Sequence, residues 1–310
     1  MFDIALVGCG GMMPLPHRHL TSLLLRYEGR MVLIDCGEGN QVTLKQLGWG
    51  YKTIDCICLT HFHADHVTGL PGLLLSIAHS GRDEPLTIVG PIGVAHVVKS
   101  LCVVAPDLPF DIKFLELPKE GLQNFKIPLT GFTLSAVSAL HNCPCFAYRV
   151  DIHRKGRFDA DKARELEIPL NFWNRLQKGQ TMEHEGRTFT PDMVMGADRK
   201  GLSVSYITDS RPPKWLPDFI RNSDLFVCEG HYGDEDLLDK AKSHRHMIFS
   251  EAATLARAGQ VGKMWLTHFS PALQNPKDYL KNARKIFTKS YVGYDRLTET
   301  LNFEDEEIQI

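Results

Sequence analysis

Residues 57–70 read ICLTHFHADHVTGL. The apolar run Ile57-Cys58-Leu59 gives way within a few positions to His61, His63, Asp65 and His66. Alternate residues of an extended segment face the same way, so His61 and His63 can share one cation. A turn at Ala64 would then aim Asp65 and His66 at a second point close by. Neutral imidazole and carboxylate are ligands for zinc and similar borderline metals. The chain has 14 histidines in all. Those outside such a pattern, among them His79, His96, His153 and His184, read as ordinary surface or core residues.

Four further polar residues, His141, Asp209, His231 and His268, each follow closely on an apolar, strand-like run. A two-metal site needs about seven ligand groups, one of them a bridging carboxylate. The H-x-H-x-D-H motif supplies four, and His141, Asp209 and His268 complete the set. Two cations about 3.5–4 Å apart activate a water and stabilise both the attacking and the leaving oxygen. That chemistry is hydrolysis, most naturally of a phosphodiester.

The elements that must position these groups alternate along the chain. Strands are predicted at Ile4–Val7, at Ser22–Leu25 and Met31–Ile34 around a turn at Glu28-Gly29, and at Thr87–Val89. Others fall at Phe132–Val137, Phe146–Val150, Ser203–Ile207, Leu225–Cys228 and Met264–Leu266. Helical patterns cover Gln41–Leu47, Gly69–His79, Gly93–Ser100, Asp234–Lys242 and Ser250–Ala258. Interleaved strands and helices indicate layered α/β packing, in which strand ends gather at one edge and build the site. Residues 151–200 are rich in charge and poor in strand signals. They read as an insertion between two core strands, either a solvated excursion or a substrate-binding arm.

Composition narrows the field. With 43% hydrophobic residues in 310, the chain can bury a sizeable core. Its net charge of −2 argues against a broadly basic nucleic-acid coat. No run of eighteen apolar residues predicts a membrane span. The start, MFDIALVGCGGMMP, reads as a first strand and not as a signal peptide. The eight cysteines lie in or beside apolar segments and are expected as reduced thiols of a cytoplasmic protein. Cys143-Pro144-Cys145 is ambiguous, and no metal is assigned to it.

The H-x-H-x-D-H motif with His141, Asp209 and His268 resembles the metallo-β-lactamase fold, an αββα sandwich. "GCGGMMPLP", "LIDCGEGNQ", "LTHFHADHVTGLPGLL", "GRFDADKARELEIP", "TDSRP", "HMIFSEAATLA" and "LTHFS" bring the chain closer to the ribonuclease Z family, endonucleases that mature tRNA 3′ ends. The resemblance implies one domain over 1–310 with an inserted arm around 151–200. It implies two Zn²⁺ per chain, with Mn²⁺, Fe²⁺ or Co²⁺ as possible replacements. His61, His63 and His141 would hold one ion, Asp65, His66 and His268 the other, and Asp209 would bridge. Asp65 would also orient or deprotonate the attacking water. His246 matches the histidine that assists the leaving oxygen, His244 is the weaker candidate beside it, and Asp35 matches a supporting acid near the metals. Precursor tRNA as substrate and a homodimer follow from the same resemblance. The family's arm usually carries a Gly-Pro pair; here its place, near Asn171-Phe172, lacks one. A hydrolase of a small phosphodiester or another ester on the same fold is therefore the alternative. A metal-stabilised RNA-binding subunit is a third reading, disfavoured by the complete ligand set.

Overall fold

The computed structural model describes residues 1–119, 121–126 and 131–304. Contacts divide the chain into two units: Met1–Asp151 with Ser203–Asn302, and Ile152–Leu202 with the residues after Asn302. The larger unit is built on two seven-stranded sheets. Across the first, the strands run Leu297–Leu301, Phe2–Gly8, Ser22–Tyr27, Arg30–Ile34, Ile54–Cys58, Leu86–Pro91 and Ile112–Leu117. The second runs Ser290–Val292, Met264–Thr267, Leu225–Glu229, Arg199–Ile207, Phe146–Arg154, Thr133–Ser138 and Leu122–Lys126.

Burial explains the sequence of the central strands. Ile54–Cys58 and Leu225–Glu229 are buried at every position, and strands covered on both faces read as near-continuous apolar runs. Helices Asn40–Leu47, Leu70–His79 and Val94–Leu101 bury Leu44, Leu70, Leu73, Leu74, Ile77, Val94 and Val98 in one core with the first sheet. Helix Phe249–Ala258 packs on strands Leu225–Glu229 and Met264–Thr267 of the second. Between the sheets, Tyr148 donates to the carbonyl of Leu59 at 2.8 Å. Tyr206 likewise reaches Thr21 at 3.0 Å and Asp35 at 3.3 Å. The order helix, sheet, sheet, helix is the αββα arrangement that the motifs implied.

Within each sheet the neighbouring strands from Arg30–Ile34 to Ile112–Leu117, and from Arg199–Ile207 to Ser290–Val292, are parallel. Their carboxyl ends therefore point to one edge, and Asp35, His61, Asp209, His231 and His268 all lie just beyond such ends. The hairpin at Glu28-Gly29 has φ of 49° and 78°, the left-handed pair of a type I′ turn.

Two expectations change. The predicted helix Asp234–Lys242 is a 3₁₀ turn, Glu235–Leu237, followed by helix Leu238–His244. Asp234 accepts from the backbone of Asp236, which tightens the entry. The second unit is also more ordered than its charge suggested. Strands Phe146–Arg154 and Arg199–Ile207 run into it, and it contains helices Ala160–Glu165 and Leu170–Gln177 and a hairpin, Met182–His184 with Arg187–Phe189. Ala163, Ile168, Leu176, Met182, Phe189 and Val194 form its own small core. Asn171-Phe172 lies on a helix, with Phe172 packed on that core. At the neck Gly156 meets Gly196 so closely that a Cβ on Gly156 would stand 1.9 Å from the Gly196 carbonyl.

Candidate metal centre

The seven predicted ligand residues converge. Asp209 is the geometric centre, with its two oxygens facing different partners. Oδ2 lies 3.6 Å from Nε2 of His61 and 3.7 Å from Nε2 of His141. Oδ1 lies 3.3 Å from Nε2 of His66 and 2.9 Å from Nε2 of His268. His63 Nδ1 stands 3.3 Å from Nε2 of His141, closing the first group. Asp65 Oδ2 stands 3.3 Å from His268 and 3.6 Å from His66, closing the second. Donors that share a tetrahedral ion at zinc–nitrogen bond lengths lie about 3.3 Å apart, so both groups have the spacing of ligand sets.

The backbone is bent to make this possible. Asp35, Asp209 and His268 have φ of 60°, 35° and 56°, a region that costs a non-glycine residue energy. Each residue adopts this conformation at or just beyond the end of its strand. Met12, also left-handed at 67°, donates its N–H to Asp65 Oδ2 at 2.7 Å. Gly11 lies so near His268 that an added Cβ would be 2.7 Å from its ring, a close approach only glycine allows.

The electrostatics call for a cation. His61, His66, His268 and Asp209 are essentially buried. Burial alone would raise the Asp209 carboxyl, but His268, His66 and His61 hold it well below the usual range. Burial would lower His268, yet Asp209 overrides it and lifts the imidazole to about 10. Burial, reinforced by His66, leaves His61 well below the ordinary imidazole value, and burial takes His141 down to about 4. His61 Nε2 is buried with no hydrogen-bond partner. Four imidazoles packed around one buried carboxylate, one of them with an idle nitrogen, suit divalent metal better than protons.

Second contacts aim the ligands. Asp35, wholly buried, takes a hydrogen bond at 2.8 Å from His66 Nδ1 and another from the Thr60 backbone. His66 therefore points Nε2 at Asp209, the usual way a carboxylate orients a metal-binding histidine.

The segment Thr208-Asp209-Ser210-Arg211 does more than supply Asp209. Arg211 N donates to the Leu140 carbonyl at 2.9 Å, and Leu140 N donates to Ser210 Oγ at 2.9 Å, which fixes the loop carrying His141. The Arg211 guanidinium pairs with Glu251 and bonds the carbonyl of His246. One short segment thus holds both the His141 loop and the His246 backbone.

His246 lies outside the seven predicted ligands but forms a further cluster with Glu229, His231 and His268, whose donor atoms lie within 4.8 Å of one another. Its Nδ1 lies 3.0 Å from Glu229 Oε2, and its ring is 5.7 Å from His141 and 5.6 Å from His268. Burial would lower it, but Glu229 prevails and raises it above the ordinary imidazole value. It does not cap the following helix, whose entry residue is Ile248. Glu229 is not among the predicted site residues, although an acid at the end of an apolar strand is the same signal that marks Asp209. His231 stacks on His246 with centroids 4.0 Å apart and planes 9° apart. His244 is exposed and bonds Tyr232 at 3.0 Å. All eight cysteines are free thiols.

Comparison with known proteins now decides the lineage. The chain is 50% identical to Ribonuclease Z of Clostridium kluyveri over 98% of its own length and 100% of that protein. It is also 50% identical to Ribonuclease Z of Lachnospira eligens, over 99% and 100%. The chain belongs to the ribonuclease Z family. A family model described as Anti-Pycsar protein Apyc1 matches residues 2–99. Among solved structures, human tRNase Z, short form, aligns with a TM-score of 0.69 at 22% identity, over 97% of this chain and 100% of that one. A metallo-β-lactamase fold protein, YhfI of Bacillus subtilis, aligns with a TM-score of 0.67 at 19% identity over 96% of this chain and 98% of that one, which shows the same fold here. Membership makes the chain a metal-dependent endoribonuclease, and its His/Asp clusters can bind metal. Among the described residues, no helix is long and apolar enough to cross a membrane.

Proposed function

We propose that the chain cleaves the phosphodiester on the 3′ side of precursor tRNA, with two zinc ions at the centre. The division of the Asp209 oxygens between two histidine sets is the observation that carries this reading. In it His61, His63 and His141 would hold one ion and Asp65, His66 and His268 the other, with Asp209, whose oxygens face both sets, serving both. When bound, the pair supplies Lewis acidity to the phosphoryl oxygens and lowers the pKa of water.

The protein's own groups do the rest. Asp65, fixed by Met12 N–H and His268, orients the attacking water and takes its proton. His246, tied at Nδ1 to Glu229, presents Nε2 to the departing 3′ oxygen and donates a proton there. Arg211 keeps His246 in place through its carbonyl. The second unit, as an inserted arm, contributes cations to the RNA backbone. A cytoplasmic homodimer belongs to the same reading, and sedimentation of the purified protein tests the dimer.

Incubation with a 3′-extended precursor tRNA is the direct experiment. The expected product is one tRNA-length fragment plus the intact trailer. Hydrolysis of a small chromogenic phosphodiester with no cut in the tRNA would instead support the small-substrate alternative, which the missing Gly-Pro pair keeps open. Metal analysis should find close to two zinc ions per chain; one or none in protein purified without chelator would count against the pair.

A further inference from the structure

The loop that delivers His141 also delivers a sulfur. Cys143 is half-buried and lines an open cavity of about 700 Å³ together with Ser138, Leu140, His141 and Trp215. Its Sγ lies 3.9 Å from Nε2 of His63. One donor atom from each of His61, His63, His141 and Cys143 lies within 4.8 Å of the other three. In the same cluster His61 Nε2 is buried without a partner. Bonds of about 2.3 Å to sulfur and about 2.0–2.1 Å to nitrogen put neighbouring donors about 3.5 Å apart on a zinc ion, whose coordination would expand to five with Asp209 counted. Cys143 is carried on a short bend between exposed Asn142 and Pro144.

Cys145 makes the contrast. It is buried, and its Sγ lies 3.8 Å from Nδ1 of His61. That nitrogen also meets Thr60 Oγ1 at 3.0 Å, whereas Nε2 is the one that faces Asp209. Cys145 therefore sits behind its histidine; Cys143 likewise meets the His63 nitrogen turned away from His141, but its sulfur also lies within 4.8 Å of a donor atom of each of the three histidines.

We propose that Cys143 adds a thiolate to the cation position formed by His61, His63 and His141. Forming the sulfur–metal bond breaks the S–H bond, and the proton passes to solvent. The two positions then differ in kind. The first, with a thiolate among its donors, prefers soft ions such as Zn²⁺, Cd²⁺ or Co²⁺. The second, with Asp65 and the Asp209 bridge, also accepts harder ions such as Mn²⁺. The inference rests on the reading of the three histidines as ligands.

Cobalt(II) is the probe. Full-length protein is stripped of metal, titrated with Co²⁺ and read in the near ultraviolet, where a cobalt–thiolate bond gives an intense charge-transfer band that imidazole and carboxylate do not. The wild type should show that band, and Cys145→Ser should keep it. Cys143→Ser should lose it while still binding cobalt, with affinity at that position lower by about tenfold or more. A wild type that binds two cobalt ions without the band overturns the proposal, as does a band that survives Cys143→Ser. A wild type that binds no cobalt overturns it together with the ligand reading, and stoichiometry tells these failures apart. The wild-type spectrum needs no variant, so a Cys143→Ser chain that does not fold leaves the proposal open to refutation.

Discussion

The metal centre and the inserted unit are built by opposite means. At the centre, charged and polar side chains are buried, each tied to at least one other, and three residues are held in left-handed conformations. In the inserted unit the buried residues are apolar, and the charges stand outside on a core of six residues. Residues 152–202 carry ten lysines and arginines against eight acids, a net of +2 in a chain of net −2. Several of these cations are already engaged: Arg164 lies over Trp173, Arg187 over Phe189, and Arg164 pairs with Asp161. Others, including Lys155, Arg157 and Arg175, are exposed or reach only backbone and amide oxygens. The contrast is between a buried polar cluster, proposed above as the place of bond-breaking, and a charged surface on a small apolar core, proposed above to hold the RNA backbone. Variants that hit one and spare the other test the separation.

The largest effect is expected at the bridge. Asp209→Ala removes the carboxylate that faces both histidine sets. Metal analysis should show both positions depleted, and turnover on RNA and on a small phosphodiester should fall together by roughly 10⁴-fold or more, the scale of losing a residue on which a whole site depends. Depletion of one position alone would show that Asp209 does not bridge.

Next is His246, the proposed proton donor. His246→Ala should keep both metals and the fold but lose roughly 10²–10⁴-fold in RNA turnover. A substrate with a far better leaving group should recover part of that loss. Loss of metal in this variant would make His246 a ligand and erase its distinction from the seven.

The inserted unit should give a smaller and more selective effect. Replacing residues 157–195 by a short linker exploits the close approach of Gly156 and Gly196 at the neck. Hydrolysis of a small phosphodiester should remain near wild type, while precursor tRNA cleavage should weaken by roughly 10–10³-fold through KM. The salt dependence of tRNA binding should become shallower as phosphate contacts are lost. Equal loss of both activities in a folded variant would refute the division of labour.

Much of the centre was legible because metal ligands are few in kind and sit at strand ends. The H-x-H-x-D-H spacing and the apolar runs before His141, Asp209 and His268 sufficed to group seven residues. What stayed hidden depends on long-range packing. Glu229 acquires its role from a histidine 17 positions on, and Arg211 from Glu251 and a backbone carbonyl. The strand Leu297–Leu301 pairs with Phe2–Gly8 from the far end of the chain, and its alternating burial gives only a weak periodic signal. The inserted unit misled for a related reason: its core is small, so charge dominates its composition while six buried side chains organise it.

The smallest effect concerns Glu229, and it bears on whether the centre's rigidity has a chemical purpose. Glu229 receives the Ser210 backbone N–H on one oxygen and the His246 ring and Met247 N–H on the other. Burial on its own would lower the His246 imidazole; the Glu229 carboxylate raises it above the ordinary value of about 6.5. A general acid works only while protonated. Activity should therefore hold as pH rises through neutrality and decline as pH passes the raised pKa. Glu229→Gln keeps two hydrogen-bonding groups but removes the charge, which leaves burial to pull the imidazole down. The alkaline limb of kcat/KM should move to lower pH, with the loss at neutral pH about tenfold or less and both metals retained. If His246 were only structural, Glu229→Gln would lower stability and leave the limb where it was. Measuring kcat/KM against pH for the two proteins, at fixed metal content, decides between these outcomes.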